Sequence, residues 1–187
     1  MLDYNAVINQ EINTNDLTVK EICPVIKINL RGKTREFFTS VGKCLNMILP
    51  TEANTSSTSE QLTAIWQSPD EWMIISNEID NKDTITSKLN ELLFNNISKT
   101  NLGAVTDVSD QFVQLEIKGK NIYDLFSSGS PFNFEEFKER KGSTTQTILN
   151  HIDVIIHNKD QNYVNLFVRR SFANHLFDWI NDYASKL

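Results

Sequence analysis

The sequence predicts an α+β protein built on antiparallel sheets. Three observations lead there. Segments of β-type composition recur in both halves of the chain, and stretches with helical spacing of apolar residues separate them. The order strand, helix, two or three strands, helix occurs twice. Short polar turns that suit hairpins join the strands. The two halves do not repeat in sequence, so the reading is a structural duplication. A chain of 187 residues, 40% of them hydrophobic, buries a core for one domain or for two small lobes.

Residues 1–20 are polar, with Asn, Asp and Thr throughout, and read as an arm lying on a partner or on the body. Glu21 to Leu30 carries Ile22, Val25, Ile26, Ile28 and Leu30, a strand broken early by Pro24. After a turn at Arg31-Gly32-Lys33, the residues Phe37, Phe38, Val41, Cys44, Leu45 and Ile48 keep helical spacing until Pro50. Thr51 to Glu60 is a low-complexity polar stretch and reads as an exposed loop. Leu62 to Trp66 and Trp72 to Ile75 form a hairpin about Gln67-Ser68-Pro69-Asp70-Glu71. Ile85, Leu89, Leu92 and Leu93 mark a second amphipathic helix that ends near Ile97.

The second half opens on Val113, Leu115 and Ile117, which alternate with Gln114, Glu116 and Lys118 as a half-buried strand does. A short helix carries Ile122, Leu125 and Phe126. An aromatic connection through Phe132, Phe134 and Phe137 leads to strands at Thr144 to Leu149, Ile152 to Ile156 and Tyr163 to Val168. Phe172, Leu176, Trp179, Ile180 and Tyr183 then stripe a last helix, with Ser171 suited to cap it. The organisation is an arm over 1–20 and a domain over 21–187. Its lobes, about 21–100 and 101–187, are each of a ferredoxin-like type of antiparallel sheet plus helices, with the strand–helix–strand–strand–helix pattern pseudo-duplicated.

A net charge of −6 and a pI near 5.1 argue against nucleic-acid binding through bulk electrostatics, which needs a basic face. The start Met1-Leu2-Asp3-Tyr4-Asn5 lacks a basic-then-apolar leader, and no apolar run approaches a bilayer span, so a cytoplasmic, non-membrane protein is expected. Cys23 and Cys44 have no C-x-x-C context; one disulfide is arithmetically possible, and two buried thiols in a reducing cytosol are the commoner reading.

His151, Asp153 and His157 share parity in an extended segment and are the right ligand types for zinc or iron. Ile152, Val154 and Ile156 on the other parity make a solvated polar strand face the commoner reading. Asp107 and Asp110 suit a general-base pair, though turn and cap roles are commoner for such side chains. No glycine-rich phosphate loop and no G-x-S-x-G context is present. Arg169 and Arg170 suit a bidentate anion clamp or an interface ion pair. No catalytic, cofactor-binding or metal-binding residue is assigned; the residues expected to face a partner are Trp72, Asp70, Arg169, Arg170 and Phe172.

Four segments together resemble the γ subunit of heterotetrameric sarcosine oxidase. They are Ser68-Pro69-Asp70-Glu71-Trp72, Val105-Thr106-Asp107-Val108-Ser109-Asp110, Thr145-Gln146-Thr147 and Val168-Arg169-Arg170-Ser171-Phe172-Ala173, in register from about Cys23 to Ala184. The resemblance implies a fold similar to the aminomethyltransferase of the glycine cleavage system. It also implies a non-catalytic subunit in a bacterial complex with α, β and δ partners. That complex oxidises sarcosine to glycine with formation of hydrogen peroxide and passes the one-carbon unit to tetrahydrofolate, its co-substrate. FAD, FMN, NAD and zinc are expected on the partner subunits and none on this chain. The alternative is a diverged folate-binding, aminomethyltransferase-like protein acting on its own, with Asp153 or Asp107 as base.

Overall fold

The computed structural model describes residues 5–23, 25–77 and 86–186. The expected break at Pro24, the helix position Ile85 and the first four residues lie outside the described residues. The protein is α+β, with two antiparallel sheets, and divides into two units. A middle unit spans 24–109, and a terminal unit combines 1–23 with 110–187. The division therefore falls at 109/110, not near 100, and the expected arm belongs to the terminal unit.

After β1 (Ile12–Asn13) and β2 (Thr18–Glu21), which belong to the terminal unit, the middle unit begins with β3 (Lys27–Arg31), α1 (Arg35–Leu45), β4 (Ser56–Thr58), β5 (Leu62–Ser68) and β6 (Glu71–Ser76). Helix α2 (Thr86–Leu93) runs into a π-helical turn at Phe94–Ser98, and β7 (Ala104–Asp107) closes the unit. Thr34 starts α1 by accepting a 3.1 Å bond from the Phe37 N–H. Asn46 stops it in the left-handed conformation at φ 50°. Because the helix ends at Leu45, only Phe37, Val41 and Leu45 of the expected stripe are buried, and Ile48 is left exposed. Likewise Leu89, Leu93 and Ile97 form the buried line of the next helix, at steps of four, and Leu92 is turned outward. The polar stretch expected as a loop contains β4, which pairs with β5 through Ser56↔Ile65 to Thr58↔Thr63. Ser and Thr satisfy a sheet edge there through backbone bonds without a buried face. Gly103 is required for a close approach: a Cβ there would collide with the Arg31 carbonyl.

The terminal unit starts with β1 (Ile12–Asn13) and β2 (Thr18–Glu21). It continues with β8 (Phe112–Lys118), α3 (Ile122–Gly129), α4 (Glu135–Glu139), β9 (Thr144–Leu149), β10 (Ile152–Asp160) and β11 (Tyr163–Arg169). A 3-10 turn at Arg170–Phe172 leads into α5 (Ala173–Ala184). Val113, Leu115 and Ile117 of β8, Val154 and Ile156 of β10, and Val164, Leu166 and Val168 of β11 share one core with α3 and α5. In α5 the buried line is Ala173, Leu176, Phe177, Ile180 and Ala184, so Phe177 takes the place expected of Phe172. The 3-10 turn is the cause, since it sets the helix phase from Ala173. Ser171 is exposed in that turn and does not cap the helix.

The sheet orders are β4-β5-β6-β3-β7 in the middle unit and β1-β2-β8-β11-β10-β9 in the terminal unit. In the middle unit the second strand of the β5–β6 hairpin pairs with β3, and in the terminal unit the second strand of the β10–β11 hairpin pairs with β8, giving the matched series β4-β5-β6-β3 and β9-β10-β11-β8. Beyond β3 lies β7, and beyond β8 lies β2. The duplication expected from the element order is thus present in the topology. One feature was not legible: the arm supplies β1 and β2 to the terminal sheet, with Val19↔Ile117 and Glu21↔Leu115 in register.

Candidate functional site

The residues expected to meet a partner occupy two places. In the middle unit, the turn between β5 and β6 carries Asp70, Glu71 and Trp72. The Ser68 hydroxyl donates to Asp70 Oδ1 at 2.8 Å, and Arg31 reaches both Asp70 (3.7 Å) and Glu71 (3.8 Å). Asn29 Nδ2 donates to the other Glu71 oxygen at 2.7 Å. The Ser68 bond and the Arg31 charge hold the Asp70 carboxyl below the usual carboxylate range. The turn is a surface ion-pair network that joins β3 to β6, and it leaves the Asp70 side chain 46% exposed.

Trp72 corrects the expectation. It is 1% exposed, its indole N–H donates to the Pro50 carbonyl at 2.8 Å, and its ring meets Phe37 and Phe38 at 5.8 and 5.3 Å. Strand alternation explains this: Trp72 and Ile74 point to the helix side of the sheet, as Ile28 and Leu30 do. Trp72 is a core residue of the middle unit and offers no side-chain surface to another chain.

In the terminal unit, the corner after β11 separates its two arginines. Arg169 is exposed and opposite Phe112 on the face of the sheet away from α5. Arg170 donates from its backbone N–H to Gln111 O at 2.9 Å and from Nη2 to Asn5 O at 2.6 Å. Arg170 thus holds the arm, and the pair does not converge into an anion clamp. Phe172 is 49% exposed at the end of the 3-10 turn. Arg169 and Phe172 are the accessible groups of this corner.

The face of the terminal sheet opposite its helices carries a polar row. Register aligns Thr144, His157, Asn165, Glu116 and Lys20 across β9, β10, β11, β8 and β2. Partial burial raises the Glu116 carboxyl. Bonds from Lys118 (2.9 Å) and the Tyr163 hydroxyl (2.9 Å), with Lys20 at 3.5 Å, outweigh it and hold the group below its ordinary value. Burial and Glu116 push the Tyr163 phenol up to about 12. Burial, reinforced by the Lys159 charge, pushes His157 down to about 3. A proton shuttle at neutral pH needs a group that titrates there. Glu116, Tyr163 and His157 are all driven away from that range.

His151, Asp153 and His157 do not come together. His151 sits in the hairpin turn with φ 66°, Asp153 is exposed on β10, and His157 is buried. Among the described residues no group of three His, Cys, Asp or Glu side chains is placed to hold a metal ion. Asp107 Oδ1 accepts the Ser109 N–H at 2.9 Å, a turn role. Cys44 is a free thiol, and burial raises its pKa.

Sequence reasoning missed two features here. Glu21 Oε2 accepts the N–H groups of Val7 and Ile8 at 3.0 and 2.7 Å, an anchor for the arm that no motif announces. The sequence located β9 as a strand but not its place at the outer edge of the terminal sheet, which depends on pairing with β10 alone.

The family model described as "Sarcosine oxidase, gamma subunit family" matches residues 32–186. No match is found among curated proteins. A chain of the heterotetrameric sarcosine oxidase from Corynebacterium sp. U-96, solved in complex with pyrrole 2-carboxylate, superposes with a TM-score of 0.81. It is 18% identical, and the alignment covers 94% of this chain and 88% of that one. The glycine cleavage system aminomethyltransferase T of Bartonella henselae superposes with a TM-score of 0.60 at 14% identity, over 88% of this chain and 45% of the other.

Proposed function

The chain belongs to the sarcosine oxidase gamma subunit family, and from that membership we infer that it acts as a non-catalytic subunit within a heterotetrameric sarcosine oxidase. Its partners are the α, β and δ chains of that assembly. The family match over residues 32–186 carries this reading. The local chemistry supports it. Glu116, Tyr163 and His157 are poised away from proton transfer near neutrality, and Arg170 and Asp107 are engaged in holding backbone.

The complex oxidises the N-methyl group of sarcosine by two electrons, which pass to oxygen and form hydrogen peroxide. The one-carbon unit goes to tetrahydrofolate and glycine is released. FAD, FMN, NAD and zinc belong to the partner chains, and this chain contributes structure to the assembly. No described helix is long and apolar enough to cross a membrane. A bacterial cytoplasmic complex is the setting that fits this chemistry. Asp70, Arg169 and Phe172 are the exposed groups assigned to partner contact, with Arg170 positioning the corner.

Co-expression with the three partner subunits tests the reading, with the affinity tag on this chain. The expected result is a yellow complex, recovered through the tag, that forms hydrogen peroxide when sarcosine is added. An equally active flavoprotein that assembles without this chain overturns it. Tetrahydrofolate binding by the isolated chain, measured by calorimetry, points instead to a free-standing folate-binding protein.

A further inference from the structure

We propose that Lys27 is a clasp: its buried ammonium holds together the two segments by which the chain enters and leaves the middle unit. The inference concerns residues 24–109 alone and does not depend on the subunit reading above.

The chain passes into the middle unit at 23/24 and leaves it at 109/110. Between those points β3 lies beside β7, with Ile28↔Asp107 to Arg31↔Ala104 in register. That ladder stops short of both ends. Val25 precedes β3 and Ser109 follows β7, so neither carbonyl has a place in a strand ladder. Carbonyls in or near a core need a donor. Lys27 supplies it to both, because Nζ donates to Val25 O at 2.9 Å and to Ser109 O at 3.1 Å.

Lysine is almost never fully buried unless its ammonium is paired. Lys27 is 1% exposed, and among the described residues no other Lys, Arg, Asp or Glu is buried. Ile28 and Leu30 face the helices, so strand alternation directs Lys27 to the other face, beside its register partner Ile75. A β-branched residue would fill such a strand position without the cost of burying a charge. The two carbonyls explain the lysine.

The backbone closes the same seam. The Lys27 N–H donates to Ser109 Oγ at 3.0 Å, and the Lys27 carbonyl accepts the Val108 N–H at 2.8 Å. The ammonium adds what these bonds do not, a tie from Val25 to Ser109 across the end of the ladder. The dependence is mutual. Moving either segment away leaves a buried charge short of an acceptor, so the tie resists opening more than a neutral hydrogen bond does.

Hydrogen exchange on the full chain tests the proposal with two variants. Lys27→Met keeps the apolar stem and removes the ammonium. Ser109→Ala removes the hydroxyl acceptor and keeps both ammonium bonds. The expected result is about tenfold faster exchange of the Val108 and Ser109 amides in Lys27→Met, a smaller change in Ser109→Ala, and wild-type rates in β5 and β6. Unchanged exchange at Val108 and Ser109 in a folded Lys27→Met overturns the clasp. Equal acceleration in β5 and β6 reports a general loss of stability and overturns it too. A Ser109→Ala chain as open as Lys27→Met assigns the tie to the hydroxyl, which also overturns it. If Lys27→Met does not fold, the wild-type chain decides in urea below its unfolding transition. Acylation of the Lys27 amine should begin together with exchange at Val108 and Ser109, and before exchange in β5 and β6. Acylation without urea as fast as that of the exposed Lys33, or only on global unfolding, overturns the clasp.

Discussion

The Arg170 guanidinium donates a 2.6 Å hydrogen bond to the carbonyl of Asn5, joining two residues 165 positions apart. Two and three residues after Asn5, the N–H groups of Val7 and Ile8 donate to Glu21 Oε2. Together these bonds lay the arm along the terminal unit, where Ile8 and Ile12 enter the core. Hydrogen bonds to a charged acceptor are stronger than neutral ones.

The arm is therefore expected to loosen when either anchor is cut. Glu21→Ala should destabilise the chain by about 2 kcal/mol, and Arg170→Ala by less. In both variants the Val7 and Ile8 amides should exchange faster than those of α1 in the middle unit. Unaltered exchange at Val7 and Ile8 in Glu21→Ala would show that apolar burial alone holds the arm.

Trp72→Ala should act on stability first. Removing a fully buried indole in contact with Phe37 and Phe38 costs about 3–5 kcal/mol. Trp72→Phe keeps most of the contact and loses the bond to Pro50, at a cost of about 1 kcal/mol. Chemical denaturation of the isolated chain measures both. Weak assembly of Trp72→Ala with unchanged stability would restore Trp72 as an interface residue.

His151 occupies a left-handed position of the β9–β10 turn, where glycine is favoured. His151→Gly should stabilise the chain by about 0.5–1 kcal/mol. A rise in the denaturation midpoint without a change in slope is the expected sign. A loss of stability would mean that the imidazole makes a compensating contact.

Acid should weaken the fold before carboxylates begin to protonate. Burial holds His157 at about 3, below its ordinary value near 6.5. Between those values the unfolded chain binds a proton that the folded chain does not, so stability rises with pH and falls as pH is lowered. The slope approaches about 1.4 kcal/mol per pH unit. It should be visible between about pH 6 and pH 5.5, above the range where Glu116 and Asp160 contribute. His157→Gln should flatten it.

Much of this was legible because periodicity reports burial directly. The alternation at Val113 to Lys118 and the hairpin about Pro69-Asp70 located β8, β5 and β6. Trp72 was misassigned because an isolated aromatic after a charged turn looks the same whether its strand faces it inward or outward. Only pairing with Leu30 and contact with Phe37 decide that. β1, β2 and β7 escaped because short polar strands are set by distant partners, which leave no local pattern. Arg170 was recognised as part of a motif, but its acceptor is a backbone carbonyl of the arm, and no sequence motif encodes that.

Strand β2 has a consequence for how the protein emerges from the ribosome. Its pairing partner β8 begins at Phe112, 91 residues after β2 ends at Glu21. At ordinary synthesis rates this interval is roughly 5 to 20 seconds. During it, residues 24–109 can complete their own sheet, while the first strands have no sheet to join. The chain's opening segment is thus among the last to reach its native pairing. Apolar residues such as Ile8, Ile12 and Val19 stay exposed through that wait, which makes nascent chains the stage most open to chaperone capture.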